Sequence, residues 1–219
     1  MRTLLPNALA LSLMLCAFLF PERATAQGGP SHAHIGHVAD AFRGTPDGMG
    51  LLPAAMAEAQ VVAQHAGFAA RDLTDLDAMQ RHMGHVLNAL DPAEEENGPG
   101  LGYGVLPAIN GAVRHIELAA ASEGASDGVK THSGHVATSG KNTAERAERA
   151  VALAKSIMEA ESAADATPMM EELVALAEQL VAGLDANDDG RVGWQEGEGG
   201  IEQAQTHLGL MKRGEGIGN

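Results

Sequence analysis

The pattern H-x-G-H-V occurs three times, as His34-Ile35-Gly36-His37-Val38, His82-Met83-Gly84-His85-Val86 and His132-Ser133-Gly134-His135-Val136. One HxxH carries little information, but three copies in 219 residues mark an internal repeat. Two histidines at i and i+3 share one helix face, so the repeat predicts helices that each present an imidazole pair. Residues 65–90 laid over 115–140 align His65 with His115, Asp77 with Asp127 and two H-x-G-H-V sets. Each lone histidine precedes the first histidine of its set by 17 residues. Gly50-Leu51-Leu52-Pro53-Ala54 echoes Gly104-Val105-Leu106-Pro107-Ala108 upstream, shifted by four residues. A Gly within each histidine pair costs a helix about 1 kcal/mol relative to Ala, which the sequence suggests is offset by close backbone approach.

Aromatic residues make up 3% of the chain, with one Trp, one Tyr and four Phe. Ala, Leu, Val and Met must therefore fill the core, which favours an all-α fold over a β-sandwich or barrel. The predicted architecture is a helical bundle of repeated helical hairpins with a C-terminal helix-loop-helix. Helices are expected near 31–43, 53–71, 75–90, 107–121, 127–138, 142–162 and 168–184. Pro53, Pro107 and Pro168 suit first-turn positions, and Asn142 with Thr143 offers a cap before Ala144. The stretch Asp91 to Gly102, with three consecutive Glu, reads as a solvated acidic connection.

The 17-residue offset has a geometric consequence. In an antiparallel hairpin of 53–71 and 75–90, His65 and His82 lie about 9 and 12 Å from the turn, at nearly one level. His65 would then converge with His82 and His85, and His115 with His132 and His135, while His34 and His37 come from the first helix. His32 and His207 fall outside the pattern and read as surface residues. Neutral imidazoles suit Cu, Zn, Ni or Fe, and two histidines could also hold haem. The competing reading is a duplicated packing unit whose histidines bond carbonyls. Asp40, one turn after His37, is a candidate to orient a ligand, but Asn88 and Thr138 stand at the matching places.

Arg2, the apolar run from Ala8 to Phe20 and Ala24-Thr25-Ala26 read as a secretory leader cleaved after Ala26. The run falls short of the roughly 20 residues of a membrane span. Its loss leaves no membrane span and no cysteine, since Cys16 is the only one. Disulfides, thiolate sites and iron–sulfur clusters are thereby excluded. The expected destination is periplasmic or secreted. A formal net charge of -15 disfavours nucleic-acid binding and suits cations. Three segments follow: leader 1–26, a His-rich helical repeat domain 27–164 and a C-terminal region 165–219.

Residues 185–196 read Asp-Ala-Asn-Asp-Asp-Gly-Arg-Val-Gly-Trp-Gln-Glu. Three short oxygen-bearing side chains alternate, a glycine turns the chain and a longer carboxylate follows, as a hard cation with six to eight oxygen ligands requires. The segment resembles an EF-hand calcium loop. The resemblance implies Ca²⁺ held by Asp185, Asn187 and Asp189, the carbonyl of Arg191, and Glu196, with Gly193 leaving room for water. Leu173, Leu176, Leu180 and Leu184 form the stripe of an entering helix. The exiting segment departs from the family in carrying Gly197, Gly199 and Gly200, and no second loop is present. A homodimer pairing two such loops would supply the missing partner, and a lone loop suits millimolar calcium.

The combined reading is a non-enzymatic exported metal-binding protein, with calcium in the loop and a transition metal at the histidines. The alternatives are a metal- or haem-dependent enzyme built on the same histidines and a calcium-stiffened structural or interaction module. No catalytic residue is assigned, because G-x-S-x-G, H-E-x-x-H, P-loop and dinucleotide patterns are all missing.

Overall fold

The computed structural model describes residues 29–218. The expected leader, 1–26, lies outside them. Seven α-helices and one short 3-10 turn (Pro46–Gly48) form among the described residues: α1 (Pro30–Ala39), α2 (Leu51–Ala69), α3 (Leu76–Leu90), α4 (Val105–Ala121), α5 (Asp127–Glu159), α6 (Ala163–Ala182) and α7 (Ile201–Glu215). No strand forms among the described residues, and one isolated bridge joins Ala41 to Met49. The fold is all-α. None of these helices is long and apolar enough to cross a membrane.

The long α5 is the spine, about 50 Å at 1.5 Å per residue. It packs against α3, α4, α6 and α7, while α2 packs on α3, α4 and α6, and α1 lies on α4. One apolar cluster runs from Ile35 to Met211, so α6 and α7 share the interior of the His-rich helices. No aromatic ring belongs to the buried core of the described residues. Small Ala side chains such as Ala59, Ala112, Ala147 and Ala150 let the helices approach closely instead.

The sequence suggests two helices, 127–138 and 142–162, where the structure has one. Gly140 does not break it: an added Cβ there would meet Val113 Cγ2 at 2.5 Å, so the glycine admits α4 at a close crossing. The supposed caps are used elsewhere. Thr143 Oγ1 donates to Ser139 O one turn back, and Asn142 reaches the loop after α6. Pro168 sits inside α6 rather than opening it, because Ser162 caps that helix by accepting from Asp165 N. Pro53 and Pro107 fall at the third helical residue, where no intrahelical N–H is needed either.

The acidic connection 91–104 is tied down by its backbone. Glu58, fully buried on α2, accepts from Leu101 N, Tyr103 N and Gly104 N at 2.9–3.0 Å and so secures the entry to α4. Asn88 accepts from Gly100 N and donates to Glu95 O.

Candidate metal centres

Each H-x-G-H-V set lies on a helix whose second and fifth motif residues are buried, except that Ser133 replaces an apolar side chain at one of them. Burying Ile35 and Val38, Met83 and Val86, or Ser133 and Val136 rotates the two histidines of each set to the edge of the core. There each pair meets a histidine from another helix. His34 and His37 of α1 meet His115 of α4; His82 and His85 of α3 meet His65 of α2; His132 and His135 of α5 meet His207 of α7. In every triad the ligand-capable atoms lie within 4.8 Å of one another. Nine of the ten histidines are thereby accounted for.

The Nδ1 atoms converge. His115 Nδ1 is 3.0 Å from His34 Nδ1 and 3.3 Å from His37 Nδ1. His65 Nδ1 is 3.0 Å from His82 Nδ1 and 3.1 Å from His85 Nδ1. His207 Nδ1 is 3.2 Å from both His132 Nδ1 and His135 Nδ1. Nitrogens about 2.0–2.1 Å from a tetrahedral metal stand roughly 3.3 Å apart. A neutral imidazole carries one N–H, so one central ring cannot make two full hydrogen bonds through a single Nδ1. A cation shared by three lone pairs satisfies all of them.

The electrostatics favour the neutral form of five of the rings. Burial, reinforced by the neighbouring imidazoles, lowers the pKa of His65, His82, His115 and His135, and pushes that of His207 down to about 4. Neutral imidazole is the metal-ligating form. Aromatic rings gather at the triads although the core has none. Phe42 packs edge-on against His37 and His115, Phe68 edge-on against His65 and tilted against His82, and Trp194 stacks on His135.

Four expectations need correction. His115 does not join His132 and His135. Depth along the α4–α5 hairpin sets its level but not its azimuth; Ala112, Ile116 and Ala119 take the core, and His115 turns to α1. The third position is filled by His207, which the sequence assigns to the surface because no H-x-G-H-V set stands 17 residues from it. The glycines of the repeat do not permit close approach: an added Cβ at Gly36, Gly84 or Gly134 would meet nothing within 4 Å. Asp40, the candidate orienting carboxylate, is paired with Lys212 at 2.6 Å. The remaining histidine, His32, contacts Glu215 at 2.9 Å, and Glu215 also accepts from Ser126 Oγ.

The loop 185–196 winds around its own oxygens. Asp189 N donates to Asp185 Oδ1 and Asn187 Oδ1, Gly190 N to Asp185 Oδ2, and Arg191 N to Asp189 Oδ1, at 2.8–3.1 Å. Gly190 adopts φ +83°, the left-handed turn that this position needs. Glu196 is exposed, whereas Glu198, two residues on, is buried and reaches into the loop. Glu198 accepts from Asn187 Nδ2 at 2.6 Å and from Gly193 N at 2.7 Å, so its carboxylate fills the room beside Gly193. Helix α7 begins only at Ile201, after Arg146 of α5 has donated to the carbonyls of Gly197, Glu198 and Gly199.

Comparison with protein-family models, with characterised proteins and with solved structures gives no match to this chain. The triads rest on their own geometry: three sets of three imidazoles that could each hold a metal ion.

Proposed function

We propose that this protein is an exported metal-binding protein that carries a transition-metal ion in each of its three histidine triads. The observation that supports this reading is the convergence of three Nδ1 atoms in each triad, with contacts of 3.0–3.3 Å between rings from different helices. An all-imidazole donor set suits Cu(II), Zn(II) or Ni(II), with Cu(II) highest in the general affinity order. The same spacing disfavours haem, whose two axial nitrogens would stand about 4 Å apart across one iron at about 2 Å each. Three protein ligands leave a tetrahedral ion one position open to solvent or to a donor or acceptor molecule, which suits uptake, buffering and delivery. The leader-like residues 1–26 support export to the periplasm or beyond.

Calcium in the acidic loop is the second part of the proposal. Asp185, Asn187 and Asp189 each keep oxygen lone pairs after their turn bonds, since a carboxylate offers about four acceptor sites and an amide oxygen about two. Arg191 would add its carbonyl, and Glu198 stands nearer the loop's interior partners than the exposed Glu196.

Elemental analysis and metal titration of the untagged mature protein test the first part. We expect three equivalents of Cu(II), Zn(II) or Ni(II), and the double variant His82→Ala, His85→Ala should lose one. Protein that takes up no metal, with that variant indistinguishable from it, would refute the reading. Terbium luminescence sensitised by Trp194 tests the second part, with loss expected in Glu198→Gln; a silent titration would remove calcium from the proposal.

A further inference from the structure

The third triad differs from the other two in what surrounds it. Its histidines come from α5, whose Asn142 and Arg146 bond the 183–200 segment, and from α7, which follows that segment in the chain. Trp194, the only Trp, lies in that segment and stacks on His135 with ring centroids 3.8 Å apart and planes at 21°. Phe42 and Phe68 meet their histidines instead at 5.2–5.7 Å and at steep or tilted angles. The backbone that follows Trp194, itself an exposed side chain, is held from α5. Asn142, two turns along α5 from His135, donates to Gln195 O at 2.8 Å and accepts from Gly197 N at 3.0 Å. Arg146, one turn further, grips Gly197, Glu198 and Gly199 through their carbonyls. Leu184 N donates to Glu198 O and closes the neck of the segment.

An imidazole that ligates through Nδ1 must hold its ring plane on the metal, and neighbours that fix the plane spare the entropy of ordering it. For His135 no hydrogen bond from Nε2 performs this task among the described contacts; the face-on indole does. We infer that Trp194 is a positioning residue for a metal ion at His132, His135 and His207, so that the 183–200 segment sets the affinity of this one site. The inference rests on metal binding by the triads as proposed above and adds what distinguishes one of them.

The test uses Cu(II) alone as the probe on the full mature chain. Competition with a chromophoric chelator should resolve three equivalents in the unaltered protein. Trp194→Ala should weaken one equivalent by about tenfold and leave the other two unchanged; Trp194→Phe, which keeps a stacking ring, should restore most of that loss. In the unaltered protein, Cu(II) filling should quench Trp194 emission. His207→Ala should remove one equivalent together with the largest share of the quenching, and His65→Ala should remove one equivalent while keeping that share. Three unchanged affinities in Trp194→Ala, or a loss spread evenly over all sites, would overturn the role of Trp194 while leaving metal binding intact. Absence of any Cu(II) uptake by the unaltered protein would overturn both.

Discussion

At the scale of single residues, the glycines of the repeat and the titration of the histidines carry separate expectations. Gly36, Gly84 and Gly134 each sit in a helix beside open space, so no packing offsets their conformational cost. Gly84→Ala should therefore raise the unfolding free energy by about 0.5–1 kcal/mol, read by urea denaturation, with metal stoichiometry unchanged. The pH dependence follows from His207. Its folded-state pKa of about 4 lies below the ordinary 6.5, because burial and the facing His135 and His132 oppose its charge. Between these values the unfolded chain binds more protons than the folded one, so this contribution to stability is present above about 6.5 and is lost as pH falls toward 4. His65, His82, His115 and His135 shift in the same direction. Metal-free protein should lose thermal stability on acidification through this window, and metal-loaded protein should release its ions there. A flat melting temperature from pH 7 to 4 would contradict it.

At the scale of elements, the segment between α6 and α7 is positioned from outside itself. Arg146 is buried with no salt bridge among the described residues, and burial lowers its pKa below the ordinary arginine value. Its guanidinium donates at 2.6–3.0 Å to three consecutive carbonyls at the neck of the loop, of which Glu198 O also accepts from Leu184 N. Arg146→Met should cost about 2–3 kcal/mol, the scale of charge-assisted hydrogen bonds and stranded acceptors. Amide hydrogen exchange should rise first in 184–200, and an unchanged exchange pattern there would argue against the brace. The sequence shows the apolar stripe of α6 and the alternating oxygens of the loop. It does not show that Asn142, a natural helix cap, is spent on Gln195 and Gly197, nor that Ser139 and Gly140 continue a helix instead of ending it. The role of Asn142 depends on residues more than 50 positions away.

At the scale of the whole molecule, the three triads join α1 to α4, α2 to α3 and α5 to α7. Metal bound only by the folded state would act as three staples in a core built largely from small side chains. Free metal at 100 times the dissociation constant adds about 2.7 kcal/mol per site, and a domain of this size gains roughly 2–4 °C for each kcal/mol. Stepwise melting-point rises on loading, reversed by a chelator, are therefore expected, with about one third of the gain missing in His82→Ala, His85→Ala. Identical melting curves with and without metal would show that the triads hold nothing in the folded protein. His32 and Asp40 join the same scale, since their contacts with Glu215 and Lys212 fasten α1 to α7.

Local periodicity and composition were enough to establish that the chain is helical, that its core is aliphatic, and that the histidines of each H-x-G-H-V set share a face. These properties depend on neighbours a few residues apart. The sequence could also place His65 with His82 and His85, because a short turn joins their helices and leaves little freedom of arrangement. Only the tertiary structure decided that His115 belongs with α1 and that His207 completes the third triad. Spacing along the chain fixes how far a side chain lies from a turn, but the burial of distant apolar residues fixes the direction in which each helix faces. The same packing brought Phe42 and Phe68 to the edges of two triads and laid Trp194 on His135, contacts that no one-dimensional pattern encodes.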